Sequence, residues 1–64
     1  MNAAPDLKVL VVDDSALNRR SISDMLNGVS GVRIVGKAAN GEEALRLVHV
    51  TDPDVITLDL EMPR

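Results

Sequence analysis

The sequence predicts an α/β fold, a parallel sheet whose strands alternate with helices. Three observations predict it. Three short apolar, β-branched runs recur along the chain, "LKVLVV", "VRIVGKA" and "VITLDL". Between them lie two stretches with helical spacing and capping residues. Carboxylates then gather where the first and third runs end, at Asp13, Asp14 and Asp59.

Each element follows from its residues. The stretch "MNAAPD", residues 1–6, reads as a flexible lead-in punctuated by Pro5 and Asp6. Residues 7–64 then read as one folding unit. Leu7–Val12 is nearly continuous in apolar residues, as expected of a strand covered on both faces. Ser15 is placed to cap a helix from Ala16 to about Asn27, with Ile22, Met25, Leu26 and Val29 on one face. Gly28 is placed to stop it. Val32–Ala38 is less uniformly apolar, which suits an edge strand. Asn40 with Glu43 three residues on spells a capping box, and Ala44, Leu45 and Val48 supply a buried stripe. Pro53 in "TDPD" ends that helix, and Val55–Leu60 forms the third strand, with Pro63 beyond it. Crossovers between parallel strands are right-handed, which leaves few topologies.

Bulk composition narrows the function. A chain of 64 residues buries only about 60% of its unfolded surface. The absence of cysteine excludes disulfides and thiolate metal sites. The absence of aromatics removes base-stacking platforms, and a net charge of −3 offers no basic footprint, so nucleic acid is not an expected partner. No signal-peptide pattern and no long apolar run are present, so a cytoplasmic location without a membrane span is expected.

The acids carry the chemistry. In an open α/β sheet, ligands bind beyond the carboxyl ends of the strands. If the first and third strands are neighbours, Asp13, Asp14 and Asp59 meet there. Carboxylates packed together repel, and a divalent cation removes the conflict. Oxygen-only ligands favour Mg²⁺ over zinc. A hard cation beside a carboxylate suits phosphoryl transfer, and aspartate is a known nucleophile for it. Asp14 taken alone reads equally well as a helix cap. Asp59 has apolar neighbours in its strand, and a carboxylate so placed tends to have a partner or a task.

"VLVVDDS", "NGEEAL" and "DVITLDLEMP" occur in that order, and the chain resembles the receiver domain of two-component response regulators. The flanking residues in "VDDSALNRR" and "TLDLEMP" look most like the subgroup of chemotaxis methylesterase response regulators. The resemblance implies a flavodoxin-like, doubly wound parallel sheet, of which this chain has the β-α-β-α-β portion. It implies that Asp59 accepts a phosphoryl group from a histidine kinase. It implies that Asp13 and Asp14 hold Mg²⁺, with the backbone carbonyl of Glu61 completing the metal shell. Pro63 matches the proline that turns the chain after the acceptor. A family receiver has five strand–helix units, and the hydroxyl and lysine that contact the phosphoryl group fall in parts that match nothing here, as does any esterase output domain. The third strand's free edge then suggests a homo-oligomer.

Other residues carry bland readings. Arg19 and Arg20 suit a solvated helix face. His49 suits an exposed place near a helix carboxyl end, Met25 suits core packing, and Met62 suits the loop after Asp59. Gly28, Gly31 and Gly36 spell no nucleotide fingerprint. A receiver of another response regulator, transcriptional or stand-alone, is the alternative within the family, and two rival functions stand outside it. A phosphatase with an aspartyl nucleophile generally wants a second aspartate two residues on, where Glu61 stands. An isolated, chemically inactive structural or oligomerising piece is the other.

Overall fold

Leu10, Val11 and Val12 are covered on both faces of the sheet. They belong to β1, Leu7–Asp13, the middle strand of three. The structure, a computed structural model, describes residues 6–59. The lead-in at 1–5, Leu60, Glu61, Met62 and Pro63 lie outside the described residues. After β1 come α1 (Ala16–Asn27), β2 (Val32–Ala38), α2 (Gly41–Thr51) and β3 (Val55–Asp59). The strand order is β2-β1-β3, and both pairings are parallel. This is the doubly wound portion that the sequence leads one to expect, with β2 at an edge. β1 runs one residue further than its apolar run and includes Asp13.

The winding puts the helices on opposite faces. Leu10, Val12 and Ala38 form the core with Ala44, Leu47 and Val48 of α2 against them. Alternation along β1 turns Val9, Val11 and Asp13 to the other face, beneath α1. Each helix is capped as its sequence suggests: Ser15 Oγ accepts from Asn18 N at 3.2 Å, and Asn40 Oδ1 accepts from Glu43 N at 2.9 Å. Glu43 reaches back one residue further than in a simple capping box, accepting from Ala39 N at 2.7 Å.

Two expected core residues lie outside. Met25 is 71% exposed and Leu45 66% exposed. The inner side of α1 runs instead through Arg19, Ile22, Ser23 and Leu26, which are buried or half-buried. Ser23 can occupy a core position because it is small and its hydroxyl donates to Arg19 O at 2.7 Å. On α2 the neighbour two residues along, Leu47, does the packing expected of Leu45.

β1 and β2 slip by one residue: Val9 faces Ile34, but Leu10 faces Gly36. Val35 is the extra residue of this bulge. A Cβ at Gly36 would stand 3.1 Å from Leu10 Cδ1 and 3.5 Å from Leu47 Cδ1. Glycine therefore lets β1 and α2 close over β2. At the opposite end of the sheet from the acids, Lys8 N donates to Asp54 Oδ2 and Asp54 N donates to Lys8 O, both at 2.8 Å. Asp52 caps α2 in the left-handed region, at φ 47°.

Gly36→Ala pushes a methyl into Leu10 and is expected to destabilise the sheet by about 1–3 kcal/mol. Faster hydrogen exchange at the Leu10 and Lys37 amides checks it, and unchanged exchange contradicts it. Asp52→Gly removes the strain of the left-handed cap and is expected to stabilise by about 0.5–1 kcal/mol. A higher urea midpoint is the expected readout.

Candidate functional site at the carboxyl end of the sheet

β1 and β3 pair in parallel with Asp13 opposite Asp59. Parallel neighbours lie about 4.8 Å apart, and residues in register point to the same face. The two acids are thus brought together at the carboxyl end of the sheet, on the α1 side. Asp14, next in the chain, is exposed. Among the described residues, no three acidic, imidazole or thiol groups are drawn together as a ready-made metal cage. The structure therefore sets Asp13 beside Asp59, and Asp14 follows Asp13 directly in the chain. Glu61 lies outside the described residues.

Asp13 is only 1% exposed. Its Oδ1 accepts from Ser15 N at 2.9 Å, which ties it to the start of α1. Its Oδ2 is buried and has no hydrogen-bond partner among the described residues. A buried carboxylate oxygen without a donor is costly. Arg19 Nη1 donates to the Asp13 carbonyl oxygen at 2.7 Å, so the guanidinium lies at this end of the sheet. Arg19 is half-buried, and its expected place on a solvated face is corrected. Arg20 does fit that place: it lies 3.9 Å from Asp24 in an exposed pair of little energetic weight. His49 is exposed in the last turn of α2, on the far face of the sheet.

The donor set fits a hard divalent cation. Its side-chain donor atoms are all oxygens, and the Asp13 Oδ2 has no hydrogen-bond partner among the described residues. Mg²⁺ commonly takes one or two carboxylates and keeps several waters, a requirement that two neighbouring carboxylates match in kind.

Thr57 was not singled out by sequence. It stands two residues before Asp59, on the same strand face, with a buried hydroxyl that has no partner among the described residues. A β-branched residue in a strand draws no attention by its pattern, because threonine packs there as valine does. Arg19 was visible only through the 19, 22, 23, 26 spacing, which an apolar count passes over.

Fold and site together define a parallel α/β module with an acidic carboxyl end. Residues 9–64 match the response regulator receiver domain, and the chain belongs to that family. Over its whole length it is 53% identical to a protein-glutamate methylesterase/protein-glutamine glutaminase 1 of Myxococcus xanthus, strain DK1622, covering 19% of that protein. The counterpart from Syntrophomonas wolfei is 54% identical over 92% of this chain and 17% of its own. That of Bacillus subtilis, strain 168, is 54% identical over 89% of this chain and 16% of its own. The chain thus spans less than a fifth of the length of these relatives. No helix among the described residues is long and apolar enough to cross a membrane.

Thr57→Val removes the orphaned hydroxyl at nearly constant shape and is expected to stabilise by about 1 kcal/mol. A lower unfolding midpoint would instead reveal a partner for that hydroxyl.

Proposed function

We propose that this segment is a phosphoacceptor module that regulates a chemotaxis protein-glutamate methylesterase. The observation that carries the reading is the register that sets Asp59 beside a buried Asp13 with an unpartnered oxygen. Receiver-family membership and the names of the relatives support it. Asp59 is exposed, as an acceptor meeting a phosphohistidine must be. Its carboxylate oxygen attacks phosphorus, the P–N bond breaks, and the imidazole of the histidine kinase leaves with the bonding electron pair. Asp13 and Asp59, with Asp14 and the Glu61 carbonyl that the family resemblance implies, would hold Mg²⁺. When bound, the cation neutralises the phosphoryl oxygens as charge moves between them. Residues 7–64 act as the first part of the receiver, in the cytoplasm, and the remaining receiver and the output domain complete the protein.

Acetyl phosphate with Mg²⁺ should label Asp59 in the intact protein, and Asp59→Asn should abolish the label. A label that persists in Asp59→Asn moves the acceptor elsewhere. Asp13→Asn removes the buried anion and should weaken Mg²⁺ binding at least tenfold, as loss of a charged ligand generally does; calorimetric titration reads this directly, and unaltered affinity rejects Asp13 as a ligand.

A second reading concerns the segment standing alone. Among the described residues β3 pairs only with β1, and Val55, Ile56 and Leu58 are all at least 40% exposed. Such an edge invites pairing with another chain. We infer that the isolated segment forms a homo-oligomer through β3. Sedimentation showing monomer alone across a wide concentration range overturns this.

A further inference from the structure

At the end of β1 one residue is gripped twice. The Asp13 side chain is held by Ser15 N at 2.9 Å and its backbone carbonyl by Arg19 Nη1 at 2.7 Å. That carbonyl belongs to the peptide joining Asp13 to Asp14. Its orientation sets the direction in which the Asp14 side chain leaves the backbone, and it fixes the pivot of Asp13. Arg19 is itself restrained, because it is half-buried on the inner side of α1 and its own carbonyl accepts from the fully buried Ser23 hydroxyl at 2.7 Å. The clamp therefore runs from the packed middle of α1 to the acidic end of the sheet.

We propose that Arg19 is a positioning residue for the acidic end. By holding the Asp13 carbonyl it fixes the Asp13–Asp14 peptide and so aims both carboxylates at the place beside Asp59. This rests on the phosphoacceptor reading above. Charge and geometry make opposite demands here, which gives the idea a sign. A guanidinium near a cation site repels the cation, so a purely electrostatic role means that its removal tightens Mg²⁺ binding. A positioning role means that removal loosens it, as loss of groups that orient metal ligands does, by about tenfold or more. A role only in stability leaves the affinity of the folded molecules unchanged.

The test is calorimetric Mg²⁺ titration of the intact protein, with the rate of Asp59 labelling by acetyl phosphate as a second readout. Arg19→Gln is expected to bind Mg²⁺ about tenfold more weakly and to label correspondingly more slowly. Arg19→Lys keeps the charge but replaces a planar fork by a point donor. It is expected to bind about threefold more weakly, and it carries the test should Arg19→Gln fail to fold. Arg20→Gln, at an exposed site, is expected to match the wild type. Unchanged or tighter binding in both Arg19 variants overturns the inference alone. A wild type that neither binds Mg²⁺ nor takes label at Asp59 overturns the functional reading, and the inference falls with it.

Discussion

Everything at the acidic end depends on β1 being covered on both faces. A strand buried so completely has no freedom to shift along its neighbours, because a slip of one residue would send Val9 and Val11 to the α2 side and Leu10 and Val12 to the α1 side. The fixed register carries Asp13 to a position opposite Asp59. It also carries Asp13 into near-complete burial, where a carboxylate has to be given partners.

The carboxylate finds its partner at the start of α1, and the Asp13 backbone carbonyl finds one within it. Ser15 serves twice: its side chain caps the helix, and its backbone N–H receives the Asp13 carboxylate. Arg19, one turn further on, returns to the Asp13 carbonyl. The loop between strand and helix is thus held from both ends while one Asp13 oxygen has no hydrogen-bond partner among the described residues. Such a half-satisfied acid keeps one oxygen available, since full satisfaction would compete with any ligand. The same reasoning explains why Ser23, rather than an aliphatic residue, lies under α1: it closes the hydrogen bond to Arg19 O and keeps the helix near the sheet.

The opposite end of the sheet shows a different logic. There Asp54 exchanges two hydrogen bonds with Lys8 and works as a structural residue joining β1 to β3. Acidic residues thus occur at both ends of the β1–β3 pair, yet among the described residues only the carboxyl end combines burial with an oxygen lacking a hydrogen-bond partner. Environment, not residue type, separates the acids at the carboxyl end from the structural Asp54.

The sequence by itself determined the alternation of strands and helices, both helix caps, the edge place of β2 and the family motifs around Asp13, Asp14 and Asp59. These are local or periodic signals, written in neighbouring residues, and they are read without knowing the packing. The tertiary structure alone decided that Asp13 and Asp59 are register partners, that Leu47 rather than Leu45 packs on the core, and that Met25 turns outward. It also decided that Arg19 faces inward to hold a carbonyl and that the Thr57 hydroxyl is buried. Each of these depends on the rotation of a helix about its axis or the sliding of one strand along another. Such quantities are fixed by contacts between distant residues, and a count of apolar positions leaves them open by one residue in either direction.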